Sequence, residues 1–457
     1  MPAGYRTTPV PSTGMPGGIP YIIGNEAAER FSFYGMKAIL VIFMTQYLMD
    51  TNGTRAVLSE PDARGYFHLF TSAVYFTPLL GALVSDIWVG KYPTILLLSI
   101  VYCLGHLTLA LDDTRFGLAL GLGLISLGSG GIKPCVSAHV GDQFGSRNAR
   151  LLEGAFSYFY FAINLGAFSS MIATPLLLDR LGPHVAFGVP GGLMLLATWV
   201  FWLGRWKFIH VPPDAKGFIA QARSREGLTA LGRLAVLYAF VAMFWALFDQ
   251  TGSAWVLQAE HMDRRIFGIE LLPSQIQASN AALVMILIPV FSFGVYPAIR
   301  RFVPLTPLRK IGCGFFVMVG AFLITALAEH WIWAGQTPSI GWQLLAFVVL
   351  TCSEVMVSIT CLEFSYTQAP RELKSLVMAF FLMSVSLGNL FTAAVNFLIQ
   401  NPDGSSKLEG AEYYLFFALT MTLTALLYIP VARRFKERSY IQGGRREEAA
   451  LAEGVSA

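Results

Sequence analysis

The sequence predicts an all-α membrane protein that crosses the bilayer twelve times, in two six-helix bundles. Of its 457 residues, 55% are hydrophobic and only 13% are charged, and the mean hydropathy is +0.57. Soluble domains carry about 25% charged residues because their surfaces face water. Apolar stretches of about 20 residues recur along the chain, each long enough to cross the hydrocarbon as a helix. Strands of a membrane β-barrel would alternate between apolar and polar residues, and these stretches do not.

The predicted spans are mostly apolar stretches separated by short polar loops. They cover residues 21–49, 63–86, 91–111, 115–139, 152–178, 184–208, 229–259, 276–299, 307–328, 341–366, 374–399 and 412–433. The polar, basic stretch 210–228 predicts a linker between a first bundle at 21–209 and a second at 229–433. Polar tails at 1–20 and 434–457 flank the bundles. No sequence repeat relates the halves, so this division depends on the number of spans and the position of the linker.

The distribution of lysine and arginine predicts the orientation. The even-numbered loops, with the span ends beside them, and both termini hold 22 of these residues. The odd-numbered loops hold seven, at Arg55, Arg64, Arg115, Arg180, Arg264, Arg265 and Lys407. By the positive-inside rule, both termini and the linker are expected in the cytoplasm, and the expected location of the chain is a bacterial inner (plasma) membrane. This pattern also accounts for the net charge of +4, so no nucleic-acid partner is expected.

The first span carries a row of charges in the segment GNEAAERFSFYGMKAIL. Glu26, Glu29 and Arg30 are three or four residues apart and share one side of a helix, and Tyr34 and Lys37 continue that side. An ionisable group at mid-membrane costs at least about 2.5–3.5 kcal/mol, so it persists where it is paired or faces a polar cavity. Charges that snorkel to the headgroups are the alternative, but Lys37 lies too deep for that.

The fourth span contains a lysine between glycines and a proline, in SLGSGGIKPCVSAHVGDQF. The glycines allow helices to approach closely. Close packing alone explains the glycines, but it does not explain Lys133. A lysine at this depth needs an acidic partner, and Glu26 and Glu29 are the candidates.

The second half supplies buried charge of one sign only. Asp249 and Gln250 interrupt the apolar seventh span, and Glu354 lies deep in the tenth span, with Glu363 nearer its end. A cavity with a positive wall from the first half and a negative wall from the second fits a zwitterion. Both amino acids and peptides satisfy that description.

Three further polar residues lie in apolar spans: His68, Tyr75 and Asn164. A single membrane histidine is as often a hydrogen-bonding contact between helices as a proton site. These residues therefore extend the candidate site only if they face the same cavity.

Several classes of chemistry lack their motifs. No GxxxxGK[ST] phosphate loop is present, so an ion gradient rather than ATP is expected to supply the energy. No HExxH or GxSxG motif suggests an enzyme, and no cofactor is expected. The cysteines lie in apolar spans without metal-ligand spacing, at positions Cys103, Cys135, Cys313, Cys352 and Cys361.

Taken together, these segments resemble the proton-dependent oligopeptide transporter family of the major facilitator superfamily. The resemblance is carried by ExxERF followed by Tyr-Gly at residues 26–35, and by GALVSDIWVGKYPT, GSGGIKPCVSAHVGDQF, FYFAINLGAF, FWALFDQ and LEFSYTQAP. It implies the major facilitator fold and a proton-coupled symporter of di- and tripeptides, with protons and membrane lipid as the other partners and no obligate protein partner.

The resemblance implies a role for individual residues in proton coupling. The residues concerned are Glu26, Glu29, Arg30, Lys133, His68 and Asp249. The first four would form an ion-pair network, and His68 would handle a proton. Lys37 would pair with Asp249 and close the extracellular side.

The resemblance also implies which residues hold a peptide. They are Arg30, Tyr34, Lys37, Tyr75, Lys133, Asn164, Trp245, Asn280 and Glu354. The cations and Tyr34 would hold the carboxylate, the two asparagines the peptide backbone, and Glu354 the amino terminus. Phe33 and Phe381 depart from the family pattern, where tyrosine and tryptophan are frequent, and the linker is too short for two additional spans.

Two alternatives from the residues stay open. The same fold could carry another small anionic or zwitterionic solute, such as nitrate or an amino acid. The chain could instead be a peptide sensor that does not transport, which would need a signalling segment.

Overall fold

The structure, a computed structural model, describes residues 4–145, 147–213, 215–222, 224–368 and 374–435. The α-helices, numbered α1 to α16 in chain order, are Ile19–Ile42, Glu60–Leu83, Lys91–Leu111, Arg115–Asp142, Leu152–Leu181, Pro183–Leu203, Ala215–Ala222, Arg225–Phe248, Ala254–Glu260, Ala278–Val290, Tyr296–Arg300, Pro307–Trp333, Gly341–Glu354, Thr360–Gln368, Lys374–Ile399 and Ala411–Arg434. Most of the predicted tail at 434–457 and the end of the LEFSYTQAP motif, at 369–370, lie outside the described residues.

Shorter elements extend or connect these helices. The π-helical turns are Phe43–Tyr47, Val84–Val89, Phe291–Val295 and Val355–Ile359. The 3₁₀ turns are Ala149–Leu151, Gly204–Trp206, Asp249–Gly252 and Pro273–Gln277. Strands β1, Arg265–Ile266, and β2, Ile269–Glu270, pair antiparallel as a small hairpin between α9 and α10.

Twelve spans follow from these elements. Eleven helical segments of the described chain are long and apolar enough to cross a membrane. The remaining span is α1 with its π-helical extension, which carries Glu26, Glu29, Arg30 and Lys37 and is therefore less apolar. The predicted all-α membrane architecture is confirmed. We number the spans 1 to 12, and we call the side where span 1 begins the termini side and the opposite side the far side.

Each half of the chain has its own hydrophobic core. One cluster of buried apolar residues runs from Ile19 to Phe208, and another runs from Leu234 to Tyr428. Val256 and Leu257 belong to the second half by sequence, but they pack in the first cluster. The two halves are therefore packed together at the far-side end of span 7.

Span 7 differs from the single helix predicted at 229–259. Helix α8 begins at Arg225, tightens into the 3₁₀ turn Asp249–Gly252, and restarts as α9 after Ser253. A Cβ on Gly252 would lie 2.6 Å from the ring of Phe67 in span 2, so the turn sits where the halves touch. A hydropathy profile does not reveal such a turn, because a local change in the backbone hydrogen bonds leaves the apolar character of the span unchanged.

Other boundaries also differ from the sequence prediction. The predicted linker at 210–228 contains the short helix α7 and the start of α8. Spans 8 and 10 are interrupted by π-helical turns, and span 9 continues to Trp333 instead of ending at 328.

Arg64 is not a loop residue, contrary to its place in the charge count above. It lies in the first turns of α2 and is 8% exposed, with its guanidinium 4.3 Å from the ring centre of Tyr413 in span 12. Charge alone cannot separate a loop arginine from one at a helix end, and here the helix begins at Glu60.

Spans 2 and 4 make a close backbone contact. A Cβ on Gly81 would collide with the carbonyl oxygen of Gly131, and one on Gly130 would collide with Thr77. Small residues permit such approach where lipid provides no hydrophobic drive for association. This contact fixes the height of the GSGGIK segment and therefore of Lys133.

Substituting Gly81 with Ala should destabilise the protein, because the added methyl group must push two backbones apart. Overpacking typically costs about 1–3 kcal/mol. Gly123, also inside a helix, has no neighbour within 4 Å of an added Cβ, so Gly123→Ala serves as the matched control. Thermal unfolding in detergent should show a lower midpoint for Gly81→Ala only. Equal midpoints would contradict the close packing of spans 2 and 4.

Candidate functional site

The charges of the first half form one buried network. The Nε of Arg30 donates to Oε1 of Glu26 at 2.7 Å and lies 3.3 Å from Oε2 of Glu29. The Nζ of Lys133 lies 3.4 Å from Oε1 of Glu29, which also accepts from Ser129 at 2.8 Å. Both glutamates are at most 2% exposed. Two cations and two carboxylates thus balance one another inside the bundle, as buried charges require.

Phe33 supplies a second contact for Lys133. The ammonium lies 4.1 Å from the centre of the Phe33 ring, a distance at which a cation is attracted to the aromatic face. Phe33 itself is fully buried. The phenylalanine noted above as a departure from the family pattern therefore supports the lysine without offering it a hydroxyl.

A buried ion pair joins the two halves. The Nζ of Lys37 in span 1 donates to Oδ1 of Asp249 at 2.7 Å, and the other carboxylate oxygen accepts from Nδ2 of Asn389 in span 11 at 2.7 Å. Asp249 is 7% exposed and Lys37 is 9% exposed. The pair is shielded from water, so neither charge has a solvated alternative.

His68 extends this connection. Its Nδ1 lies 2.7 Å from Oδ1 of Asn389 and its Nε2 lies 2.8 Å from Oγ of Ser253. Because the Asn389 amide nitrogen donates to Asp249, its oxygen faces His68, and Nδ1 must carry a hydrogen. Nε2 can then accept from the Ser253 hydroxyl. If Nε2 were protonated, that hydroxyl could turn toward the carbonyl oxygen of Gln250, 3.5 Å away. The network can accommodate either state.

Further hydrogen bonds between the halves begin one helical turn to the termini side of His68 and continue toward the far side. Ser72 and Ser386 bond each other at 3.0 Å, Gln277 donates to the carbonyl oxygen of Ala38, and Gln400 donates to Asp62. Among the described residues, no hydrogen bond or ion pair that joins the halves lies nearer the termini side than the Ser72–Ser386 pair. The structure is therefore closed on the far side.

A cavity of about 250 Å³ lies between the halves, with the Lys37–Asp249 pair in its wall. The polar and aromatic side chains that line it include Tyr34, Lys37, Tyr75, Tyr160, Asn164, Trp245, Asp249, Gln277, Asn280 and Glu354. Glu354 accepts from Nδ2 of Asn280 at 2.8 Å, and the same amide lies 3.1 Å from Oγ1 of Thr351. The carboxylate of Glu354 has no cationic partner among the described residues. A ligand amine would supply one.

The predicted site residues fall into two groups. Those that line the cavity are Tyr34, Lys37, Tyr75, Asn164, Trp245, Asp249, Asn280 and Glu354. Those outside its lining are Glu26, Glu29, Arg30, Lys133 and His68. Arg30 and Lys133, which the resemblance places on a peptide carboxylate, are occupied by glutamates in this structure.

Sequence reasoning missed the residues that connect these charges. Asn389 and Ser253 hold His68, and Ser129 links Lys133 to Glu29. Their only signal is a polar side chain within an apolar run, and such residues also serve ordinary helix packing. Their role depends on which distant spans pack against each other, and the local sequence does not reveal that packing.

The chain is similar to a set of known proteins. Residues 92–225 and 216–414 match the sequence model of the POT family. Solute carrier family 15 member 2 of Danio rerio is 37% identical over 378 residues, which is 72% of this chain and 51% of that protein. Peptide transporter family 1 of Drosophila melanogaster is 37% identical over 369 residues, 70% of this chain and 48% of that protein. The chain spans about half the length of these relatives.

A solved structure is similar over nearly the whole fold. The crystal structure of the POT family transporter PepTSo superposes with a TM-score of 0.84 at 36% sequence identity, covering 92% of this chain and 98% of that chain. The predicted major facilitator fold with two six-helix bundles is thereby confirmed.

The Lys37–Asp249 pair should show strong coupling in a double-mutant cycle. Lys37→Ala alone leaves a buried carboxylate without its cation, and breaking a buried pair costs about 3–5 kcal/mol. Lys37→Ala with Asp249→Ala removes both charges and should be more stable than Lys37→Ala. Thermal unfolding of the wild type, both single variants and the double variant measures this. Additive effects would show that the pair is not an energetic unit.

Proposed function

The chain belongs to the POT family, and from this membership we propose that it is a proton-coupled symporter that imports di- and tripeptides by alternating access. The name of the Drosophila melanogaster relative describes it as a peptide transporter. The observation that carries the proposal is the cavity between the halves, which has in its wall the Glu354 carboxylate, without a cationic partner in the described part of the chain, and a buried network of ion pairs nearby. A short peptide matches this site with one charge at each end.

We assign the peptide amine to Glu354 and the peptide backbone to Asn164 and Asn280. Glu354 is held by a neutral amide instead of a cation, so an ammonium can approach it without displacing a charged partner. The two asparagines come from spans 5 and 8 in opposite halves. A peptide that binds both asparagines would therefore contact both bundles.

Competition for Lys133 would couple the proton to the peptide. Lys133 is held by Glu29 in this structure, and a peptide carboxylate would need the same ammonium. Protonation of Glu29 removes its negative charge, which frees Lys133 to bind the peptide carboxylate, while Arg30 keeps its pair with Glu26. Release of the peptide would restore the Glu29 pair when the proton leaves. The Glu29 carboxylate and the peptide carboxylate thus alternate at one cation, and protonation of Glu29 decides which of them Lys133 binds.

The far-side connection would act as the second proton-sensitive element. Protonation of Asp249 removes the charge that attracts Lys37, and protonation of His68 requires Ser253 to reorient. The first change weakens the ion pair that joins the halves on the far side, and the second reverses the hydrogen bond between His68 and Ser253. We assign His68 and Asp249 to the opening of that side.

The orientation completes the proposal. The chain is a multi-pass membrane protein, and from the surplus of lysine and arginine on the termini side we infer that this side faces the cytoplasm. We propose the inner membrane as its location. The far-side closure then corresponds to the cytoplasm-facing state of the transport cycle.

Replacing Lys133 with Ala should abolish peptide uptake driven by a proton gradient, because no cation remains for the exchange with Glu29. The measurement is uptake of labelled alanylalanine into proteoliposomes with an acidic exterior. Lys216→Ala, at an exposed position in α7, is the control and should retain wild-type uptake. Normal gradient-driven uptake by Lys133→Ala would refute the coupling scheme.

Glu354→Gln should weaken binding of peptides that have a free amine. Loss of one charge-assisted contact, about 1.5–3 kcal/mol, corresponds to roughly a 10- to 150-fold rise in Kd. Binding of N-acetylated alanylalanine should change little, since it lacks the ammonium. Glu363→Gln, exposed on the same span, is the control. An equal loss for both ligands would assign Glu354 a structural role instead.

A further inference from the structure

A second cavity lies on the far side, separate from the central one. Its volume is about 630 Å³, and it is lined by Arg64 of span 2, Gln258 of span 7, Glu329 of span 9, Tyr413 of span 12 and the loop that precedes span 12. A volume between about 300 and 1,000 Å³ is typical of small-molecule sites. The first half contributes span 2, and the second half contributes the rest. The cavity exists only while the halves are together on this side.

Arg64 points to a ligand in this cavity. Only 8% of Arg64 is exposed, and its Nε is shielded from solvent. That nitrogen has no hydrogen-bond partner in the described chain. Neither an ion pair nor a hydrogen bond of Arg64 occurs among the described residues, and its contact is with the ring of Tyr413. A buried guanidinium without a hydrogen-bonded anion is unfavourable. A carboxylate in the cavity would resolve this deficit with two parallel hydrogen bonds.

The acidic residues around Arg64 restrict the kind of carboxylate. Glu60 and Glu409 are exposed at the edge of the cavity, and Glu329 is half-buried within it. Glu329 accepts from Nε2 of Gln258 at 2.7 Å through one oxygen, Oε2, which fixes its orientation. Three carboxylates beside one arginine repel a simple anion. They favour a ligand that carries its own ammonium.

We propose that the far-side cavity is a second binding site, for a small zwitterion with a free carboxylate and a free amine, of the size of an amino acid or a dipeptide. The carboxylate binds Arg64 and the ammonium binds Glu329. Because these residues belong to opposite halves, the ligand stabilises the state that is closed on the far side. This inference does not depend on the proposed transport activity, since the central cavity plays no part in it.

Binding of radiolabelled alanylalanine to the purified protein in lipid nanodiscs tests the proposal. In a Lys133→Ala/Glu354→Gln background, which disables the proposed central site, one bound dipeptide per protein should remain. Adding Arg64→Gln to that background should weaken the remaining binding at least tenfold, while Arg64→Lys retains the charge and should weaken it less. Unchanged binding after Arg64→Gln would overturn the proposal.

Further arms of the experiment distinguish related outcomes. Glu329→Gln, a milder change if Arg64→Gln fails to fold, should also weaken dipeptide binding at least tenfold, and an unchanged Kd would overturn the assignment of the amine. Unlabelled acetate should compete poorly, and competition equal to that of alanylalanine would identify a simple anion site instead. Wild-type protein that binds only the Arg64-dependent dipeptide would contradict the proposed central site and leave this one standing.

Discussion

The contact between Lys37 and Asp249 is the constraint around which the two halves are arranged. Each charge is nearly inaccessible to water, and neither could remain in the membrane interior without the other. Their meeting brings span 1 of the first half against span 7 of the second. The 3₁₀ turn that begins at Asp249 lies at the same point. The second carboxylate oxygen of Asp249 needs a donor, which Asn389 supplies. The amide oxygen of Asn389 needs a donor in turn, which His68 supplies.

The two halves differ in how their remaining charges are paired, and this asymmetry suits the proposed transport. The first half contains a balanced network in which Glu29 accepts from Ser129 and lies near two cations. The second half leaves Glu354 with an amide donor and no cation among the described residues. A ligand with two opposite charges can complete the second half and compete within the first. A proton is the smallest change that decides this competition, because it removes one carboxylate from it.

The sequence predicted the number of spans and the charged residues of the site because both are local properties. Hydropathy gives a helix long enough to cross the membrane, and the spacing of Glu26 and Arg30 gives an ion pair on one helix face. The partners of His68 were not predictable, since Asn389 lies 321 residues away and nothing local distinguishes it from other polar residues in span 11. The turn at Asp249 and the burial of Arg64 were missed for the same reason. Both features depend on where another span packs, and the residues adjacent in the sequence do not indicate that packing.

Accumulation of a dipeptide in proteoliposomes tests the central claim most directly. Purified wild-type protein would be reconstituted, an acidic exterior imposed, and internal labelled alanylalanine followed over time. Proton-coupled import should produce a transient rise of the internal concentration above the external one, which a protonophore abolishes. Equilibration to equal concentrations at the same rate with and without the pH gradient would contradict it.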